Sequence, residues 1–263
     1  MPIGNLLYGG FGYDRWGKCL RHPGLAVHDH AGTRTRPWLR RADKLRRMLG
    51  CLALVIGIVC SSCSKRGGPA QLRLDAARGV PEAQFKLGVA YYDGMEITQD
   101  HQAAASWFRR AAEQGHEVAQ FALGEMLLRG EGFPADEVEA AGWIRKSAEQ
   151  GYAPAQDELA MMYSKGAGVG QNDFEAVNWA TKAAEQGLPE AQFHLGSFLC
   201  GKIPSKVPPD DIAACMWLSL AAAAGQGESE DSLPALQAKL TPSQLEEVKK
   251  RVEAWNRNHG PRP

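Results

Sequence analysis

Ala111-Ala112-Glu113-Gln114-Gly115 closes one unit of this chain, and the same phrase returns at 183–187 and, with serine first, at 147–151. The step between copies is 36 residues. A tryptophan, an Ala-Gln pair and a Leu-Gly pair also recur at this step or close to it. A period of about 20 to 50 residues is typical of stacked supersecondary units. The sequence therefore predicts an array of repeats and not a closed globular fold.

Each unit is predicted to hold two helices. In the first unit Pro81 suits a first helical turn, Gly94 suits a left-handed helix end, and Asp100 offers an N-cap for the second helix. The equivalent residues of later units are Gly130, Gly166, Gly201, Asp136, Asn172 and Asp210. Apolar residues at helical spacing should bury one face of each pair. The predicted core residues are Leu87, Leu123, Leu159 and Leu195 of the first helices, and Trp107, Trp143, Trp179 and Trp217 of the second.

These residues resemble the Sel1-like repeat (SLR) family, a subclass of the tetratricopeptide-like helical repeats. The family pattern is Ala-Gln-x-x-Leu-Gly-x-x-Tyr, a Gly-x-Gly loop, and Asp-x-x-x-Ala-x-x-Trp-x-x-x-Ala-Ala-x-x-Gly. The loops at 130–132 and 166–168 match, the loop at 94–96 lacks its second glycine, and the loop at 201–209 carries a proline-rich insertion. The resemblance implies an all-α, right-handed solenoid of helix-turn-helix repeats and a protein-interaction role.

The resemblance also sets the expected boundaries. The solenoid should span residues 69–227, with a partial leading repeat and then four repeats at about 80–115, 116–151, 152–187 and 188–225. Residues 228–258 should form C-terminal capping helices, at 232–240 and 242–255, because an open-ended stack needs a polar cap. Thr241-Pro-Ser-Gln244 is the start signal of the second of these helices. Residues 259–263 should be a disordered tail.

The front of the chain has a different composition. Residues 1–47 hold 10 Lys and Arg against 3 Asp and Glu, whereas the rest of the chain holds 20 against 27. The neutral total therefore hides a charge of +7 at the front and −7 behind it. We expect this basic leader to be disordered or to precede the true start. A nucleic-acid-binding arm is not expected, because Lys and Arg cluster only just before the next segment.

Residues 48–63 form a short apolar run that ends in Cys60-Ser61-Ser62-Cys63. Basic residues before such a run are typical of a secretory signal. The ending resembles a bacterial lipoprotein signal, in which the cysteine after small residues receives the lipid. The resemblance implies lipid attachment at Cys63, with Cys60 as the alternative, a linker at 64–68, and an outer-membrane lipoprotein facing the periplasm. An uncleaved anchor and a secreted protein are the alternatives.

Motifs for catalysis are missing from the sequence. It has no phosphate-binding loop, no Gly-x-Ser-x-Gly and no dinucleotide fingerprint. Its six cysteines include no two pairs at zinc-finger spacing. Cys200 and Cys215 lie within the solenoid and are expected to be free thiols, with a disulfide as the alternative. We predict a protein that is not an enzyme and holds no cofactor or metal. A cell-wall or β-lactam-active protein is the alternative in the enzyme class.

The predicted function is partner binding. By resemblance to tetratricopeptide arrays, the first helices line the concave side. Aromatic and aliphatic groups beside carboxylates suit a bound peptide or helix. The predicted partner-binding residues are Phe85, Val89, Tyr92, Phe121, Glu125, Leu128, Asp157, Met161 and Phe193. We therefore predict an interaction scaffold of the bacterial cell envelope with a protein or peptide partner and no nucleic acid. A secreted adaptor that acts on host or extracellular proteins is the alternative.

Overall fold

The computed structural model describes residues 69–94, 97–203 and 205–259. Contacts between Cα atoms divide the chain into two units, Met1–Asp75 and Ala76–Pro263, and the repeats lie in the second. The described residues form eleven helices and no strand: α1 (Pro69–Ala77), α2 (Pro81–Asp93), α3 (His101–Glu113), α4 (Glu117–Arg129), α5 (Glu137–Glu149), α6 (Ala153–Lys165), α7 (Asp173–Glu185), α8 (Pro189–Leu199), α9 (Asp211–Ala223), α10 (Gly227–Gln237) and α11 (Pro242–His259). This order confirms the predicted all-α solenoid. The predicted leader, signal segment and linker, with Cys60 and Cys63, lie outside the described residues.

The second helix of every repeat begins at the predicted polar residue. The carboxylate of Asp100 accepts a hydrogen bond from the backbone N–H of Ala103 at 2.9 Å. Equivalent bonds are accepted by Asp136, Asn172 and Asp210. Such a cap satisfies a backbone donor that has no partner inside the helix. Gly94, Gly130 and Gly166 end the first helices of repeats one to three in the left-handed region, with φ of 71°, 69° and 74°. In repeat four the first helix ends at Leu199 with Cys200 as its C-cap, so the prediction that Gly201 is the cap was wrong, although Gly201 follows with a positive φ of 72°. Local chemistry therefore sets the helix boundaries.

The two helices of a repeat approach most closely at one small residue. A Cβ added to Gly124 of α4 would lie 2.5 Å from Cγ1 of Ile144 in α5. The same approach joins Gly88 to Phe108 and Gly196 to Leu218, each at 2.7 Å. Repeat three has Ala160 in the glycine position, and there the second helix carries Ala180 in place of a large residue. Both alanines are fully buried in one cluster. Each helix pair thus balances side-chain volume across the contact, as close packing requires.

The second glycine of each Gly-x-Gly loop packs on the preceding repeat. A Cβ on Gly132 would overlap the backbone carbonyl of the first residue of α3, and a Cβ on Gly168 would overlap that of the first residue of α5. No side chain fits there, which explains the glycine. The loop of repeat four has no such glycine, and the backbone N–H of Lys206 instead donates to the carboxylate of Asp173, the first residue of α7, at 2.8 Å.

The recurring glutamines form a hydrogen-bond chain. Nε2 of Gln114 donates to Oε1 of Gln84 at 2.7 Å, and Nε2 of Gln84 donates to the backbone carbonyl of Ala76 at 3.2 Å. The same chain joins Gln150 to Gln120 and Ala112, and Gln186 to Gln156 and Ala148. A buried amide needs such partners, because leaving it unpaired is costly. The glutamines therefore join the two helices of a repeat and the end of the preceding second helix.

The four tryptophans predicted as core residues lie at the edge of the core, where Trp179 and Trp217 pack against buried clusters. Each is half-buried, whereas the residue after it in the chain is fully buried. Those buried residues are Phe108, Ile144, Ala180 and Leu218. Successive helix positions differ by about 100°, so a core position at Ile144 places Trp143 at the edge. Cations lie over three indoles, namely Arg110 at 4.5 Å from the centroid of Trp107, and Lys146 and Lys182 at 3.9 Å from those of Trp143 and Trp179. The predicted leucines are each at most 2% exposed.

Helix α10 follows repeat four and packs on α9. It begins at Gly227 rather than at the predicted Ser232, and it ends at Gln237. The earlier start places two glutamates in the first turn, where the helix dipole favours negative charge. The start signal of α11 is confirmed as a capping box. The backbone N–H of Gln244 donates to Oγ1 of Thr241 at 3.3 Å, and the backbone N–H of Thr241 donates to Oε1 of Gln244 at 2.9 Å.

Helix α11 also packs on α9 and extends further than predicted. It includes His259, which was assigned to the disordered tail. The imidazole of His259 stacks on Trp255 with the ring centroids 4.4 Å apart, which holds the last turn in place. Trp255 in turn contacts Trp217 edge-on, with the ring centroids 6.5 Å apart. Trp217 is the repeat tryptophan over which no cation lies among the described residues. The other tail residues, 260–263, lie outside the described residues.

Candidate functional site

Three phenylalanines that were predicted to bind a partner belong to the core. Phe85, Phe121 and Phe193 are 3%, 7% and 7% exposed. Phe121 meets Tyr152 edge-on with the ring centroids 5.5 Å apart, and Phe85 stacks on His116 at 4.9 Å. Tyr152 and His116 occupy the N-cap positions of the first helices of the following repeats, so Phe121 and Phe85 fill the space between consecutive repeats. The prediction was wrong for all three, because buried side chains are not available to a partner.

Of the remaining apolar candidates three are half-buried and Tyr92 is buried, so the prediction of a partner contact was wrong for Tyr92 too. Val89, Leu128 and Met161 keep part of their surface, although Leu128 and Met161 pack against buried clusters. Tyr92 is only 9% exposed, and its hydroxyl donates to Oε2 of Glu131 at 2.8 Å. Burial raises the pKa of Tyr92 to about 12, and the hydrogen bond to Glu131 adds to the effect. Tyr92 is therefore a permanent donor that ties α2 to the loop of repeat two.

Glu125 lies on α4 and pairs with Arg129 one turn later. Its side chain is 12% exposed. Burial raises the pKa of Glu125, the charge of Glu131 adds to the effect, and Arg129 opposes it. A carboxylate that is mostly removed from water, with one cation beside it, keeps part of its capacity to accept hydrogen bonds. Glu125 is thus a mostly buried carboxylate that is already paired with Arg129.

Asp157 joins two repeats. Nδ1 of His194 on α8 lies 2.9 Å from Oδ1 of Asp157 on α6. Burial acts to lower the pKa of His194, but the hydrogen bond and the charge of Asp157, followed by the charges of Glu158 and Glu190, outweigh burial and raise it. The imidazolium is therefore favoured. Asp157 is only 9% exposed and its carboxylate is engaged in this ion pair, so the prediction that it contacts a partner was wrong.

Glu158 brings a further carboxylate to the same place. Burial raises the pKa of Glu158, and the negative charges of Glu125 and Asp157 raise it further, against weaker opposition from Lys165 and His194. Among the described residues Glu158 forms no ion pair. Glu158 thus lies within electrostatic range of Glu125, on the neighbouring first helix α4, and of Asp157, its own neighbour on α6. We call Glu125, Asp157, Glu158 and His194 the carboxylate groove.

The sequence predictions missed Glu158, His194 and Glu131. One signal was present, since Asp157 stands where the other three repeats have phenylalanine. A charged residue at a core position of a repeat needs a partner. Here the partner is His194, which directly follows Phe193, the phenylalanine at the equivalent position one repeat later. Glu131 gave no signal, because it occupies the variable middle position of a Gly-x-Gly loop.

Other chemistry is limited in the part of the chain that the structure describes. Cys200 and Cys215 are free thiols, one half-buried and the other buried. Burial raises the pKa of the Cys215 thiol, which makes it a poor nucleophile. No group of three or more His, Cys, Asp or Glu among residues 69–94, 97–203 and 205–259 could hold a metal ion. In the same residues no helix has the length and apolar character needed to cross a bilayer.

Comparison with known proteins agrees with this architecture. The Sel1 repeat family matches at residues 81–116, 118–152, 153–188 and 189–226, which is more than half of the chain. No curated protein matches the chain significantly. A Sel1 repeat protein from Oxalobacter formigenes is 29% identical, with 71% of this chain and 73% of that chain covered and a TM-score of 0.56.

A second solved structure is closer in sequence. It is c5321, a protective antigen of uropathogenic Escherichia coli with an SLR fold, which is 37% identical over 66% of this chain with a TM-score of 0.63. The chain spans only 37% of the length of c5321. Sel1 repeat proteins generally act as protein-interaction scaffolds, and their fold is typically non-catalytic. Because four repeats match the family and each of them forms a pair of helices in the structure, the chain belongs to the Sel1 repeat family.

Proposed function

We propose that this Sel1 repeat protein is a scaffold that binds a basic segment of a protein partner at the carboxylate groove. The first helices α4 and α6 bring Glu125 and Glu158 together, and half-buried Met161 lies one turn from Glu158 on the same helix. Carboxylates beside partly exposed apolar groups suit Lys or Arg side chains, whose stems are apolar and whose ends are charged.

The observation that carries this proposal is the position of Glu158. Its carboxylate is partly removed from water, lies near two other carboxylates and has no cation paired with it among the described residues. Like charges at one site cost free energy unless a cation joins them. A partner's ammonium or guanidinium group would remove that cost, and so the groove favours a basic partner.

The test is the affinity of the full chain for a fluorescent peptide rich in Lys and Arg, measured by anisotropy. Glu158→Gln keeps the shape of the side chain and removes its charge, so we expect binding to weaken by about tenfold, as for the loss of a charge-assisted hydrogen bond. The affinity of the parent should also fall with rising salt. Glu253→Gln, on the exposed side of α11, is the matched control and should bind as the parent does. Equal affinity of the parent and of Glu158→Gln for the peptide would exclude the carboxylate groove as the binding site.

The proposed location of the scaffold is the bacterial cell envelope. The support is the apolar run at 48–63 with its Ser-Ser-Cys ending, which suits lipid attachment at Cys63 and an outer-membrane lipoprotein facing the periplasm. Several acyl chains on one residue would anchor the chain stably. Cys63→Ala should abolish labelling with a radioactive fatty acid and release the protein from membranes, and Cys60→Ala should not. Labelling that is lost only in Cys60→Ala would move the site to Cys60.

A secreted adaptor that acts on host or extracellular proteins is the second candidate. It is favoured by the 37% identity to c5321, which is described as a protective antigen. Fractionation of the native cells separates the two candidates. Recovery of the protein in the culture medium, without lipid, would support secretion and exclude the lipoprotein, whereas recovery in the outer-membrane fraction would do the reverse.

A further inference from the structure

His194 is the one member of the carboxylate groove that can carry a positive charge. Its Nδ1 lies 2.9 Å from Oδ1 and 3.0 Å from Oδ2 of Asp157. An ionised carboxylate only accepts hydrogen bonds, so Nδ1 holds a proton in this contact. The net charge of the groove therefore depends on the other ring nitrogen, Nε2, which forms no hydrogen bond within the described residues.

The ion pair stands at a position that the other repeats use for packing. The residue equivalent to Asp157 is Phe85, Phe121 or Phe193, and each of these is buried. An aromatic ring packs in the same way at every pH, whereas a buried carboxylate costs free energy unless a cation pairs with it. The helices that carry Asp157 and His194, α6 and α8, are consecutive first helices in contact with each other. Repeat three thus has a group of variable charge where a packing residue would serve, which indicates a role other than stacking.

The charged groups that face His194 are acidic. Asp157 and Glu158 act on it from α6, and Glu190 lies one turn earlier on α8 itself. The other helices packed on α8 are α7 and α9, and within the described residues no charged side chain of either forms a hydrogen bond or an ion pair with His194. Burial lowers the pKa of His194, but the hydrogen bond to Asp157 and the three negative charges outweigh burial and raise it. The side chain is 25% exposed, so its proton can exchange with water.

The charge of His194 also acts on Glu158, the residue proposed to receive the partner's cation. Burial raises the pKa of Glu158 most, Glu125 and Asp157 raise it further, and Lys165 and His194 lower it. Glu158 is half-buried and open to contact, whereas Asp157 is buried. Asp157 therefore acts on a partner through its charge and not through contact. That charge is compensated while His194 is protonated and uncompensated once the proton has left.

We propose that His194 regulates the carboxylate groove. When it is protonated it neutralises Asp157 and weakens the binding of a basic partner. When Nε2 loses its proton, the charge of Asp157 adds to that of Glu158 and the partner binds more tightly. The regulation rests on the proposed binding of a basic segment at this groove, and it makes the scaffold release its partner on acidification.

The experiment measures the affinity of the full chain for the peptide rich in Lys and Arg, by anisotropy at constant salt, between about pH 5.5 and 9. The peptide has an acetylated N-terminus, so that it does not titrate in this range. The affinity of the parent should rise by about fivefold across the titration of His194, as for one unit charge at a partly solvated site. His194→Gln should lack this step and bind more tightly than the parent at the acidic end. His259→Gln, which changes an exposed histidine of α11, is the matched control and should keep the step.

An NMR titration of the unmodified chain gives an independent measurement. Coupling between two binding events is reciprocal, so a peptide that binds better to neutral His194 must disfavour its protonation by the same factor. Saturating peptide should therefore lower the pKa of His194. His194→Gln identifies the signal, by its absence from the spectrum of that variant.

The outcomes separate this regulation from the binding itself. If Glu158→Gln weakens binding but the affinity of the parent does not change with pH through the titration of His194, the regulation is wrong and the binding site stands. The same conclusion follows if His194→Gln keeps the step, or if the peptide leaves the pKa of His194 unchanged. If Glu158→Gln binds as the parent does at every pH, the proposed binding site fails and the regulation fails with it. The titration of the unmodified chain decides the matter even if a variant does not fold.

Discussion

Replacing Gly124 by alanine tests how the two helices of a repeat fit together. The added Cβ would lie 2.5 Å from Cγ1 of Ile144 and 3.3 Å from the backbone oxygen of Ala140, so the helices must move apart or Ile144 must leave its preferred rotamer. Overpacking of a core costs about 1–3 kcal/mol, and alanine in a helix interior recovers about 1 kcal/mol relative to glycine. We expect Gly124→Ala to destabilise the chain by about 1 kcal/mol.

The sign of the effect should reverse when Ile144 is made smaller. In an Ile144→Ala background the new methyl group has room, and the chain then has the pair of alanines that repeat three has at Ala160 and Ala180. Only the helix-propensity gain remains, so Gly124→Ala should stabilise this background by about 1 kcal/mol. The coupling free energy between the two positions is then about 2 kcal/mol.

The assay is urea denaturation of the four chains of this double-mutant cycle, followed by far-ultraviolet circular dichroism. Gly142→Ala is the control, because Gly142 is an exposed glycine of α5 whose added Cβ would meet nothing within 4 Å. It should stabilise the parent and the Ile144→Ala background by the same amount, about 1 kcal/mol. If Gly124→Ala has the same effect in both backgrounds, to within about 0.5 kcal/mol, the proposed fit between glycine and isoleucine does not exist.

Three further predictions follow from the packing and the charges. Gly168→Ala should destabilise the chain by about 3 kcal/mol or more, because the residue needs a positive φ of 66° and its Cβ would overlap a backbone carbonyl; a melting temperature close to that of the parent would contradict this. Ile144→Ala should lower the free energy of unfolding by about 3 kcal/mol in chemical denaturation and Trp143→Ala by less, because only Ile144 is fully buried. The opposite order would show that Trp143, and not Ile144, is the core residue. Asp157→Asn should lower the pKa of His194 in an NMR titration, because the charge that opposes the effect of burial is removed. The stability contributed by protonated His194 is lost as the pH rises through its pKa, so in this variant it should be lost at a lower pH than in the parent. An unchanged pKa would show that the ion pair has no effect on His194.

The boundaries of the helices could be predicted because they depend on local chemistry. Asp100, Gly94 and their equivalents act within a few residues of their own position, so their roles can be recognised in one repeat. The N-cap role then holds in all four repeats and the glycine cap in three, because the insertion in repeat four changes the end of its first helix. The Thr241 capping box is legible for the same reason. Repetition strengthens the inference, since a turn residue that recurs at a fixed step serves the same turn each time.

The partner surface was predicted poorly because a helix inside a solenoid is buried on more than one side. The first helix of repeats two to four packs on its own second helix and on the second helix of the repeat before it. Phe121 faces away from Leu123 and Gly124, and it was therefore assigned to a groove. That side of the helix is occupied by Tyr152 of the following repeat. Reasoning from a single packing face cannot foresee such a contact.

The position of the tryptophans has a related explanation. Trp143 and Ile144 are adjacent in sequence, and periodicity alone does not decide which of two neighbours enters the core. The large indole was assigned to the core because of its size. At the edge, its face is instead covered by Lys146, whose aliphatic stem and ammonium group suit an exposed aromatic ring.

Photo-crosslinking tests most directly whether the carboxylate groove is where a basic partner binds. A photoreactive amino acid would replace Met161, which lies one turn from Glu158, or Phe174, which is 63% exposed at the start of the second helix α7. Each full chain would be irradiated with the peptide rich in Lys and Arg. We predict that position 161 crosslinks to the peptide, that the adduct is lost when Glu158→Gln is added, and that position 174 gives no adduct. A crosslink at position 174 without one at 161 would contradict the assignment of the groove.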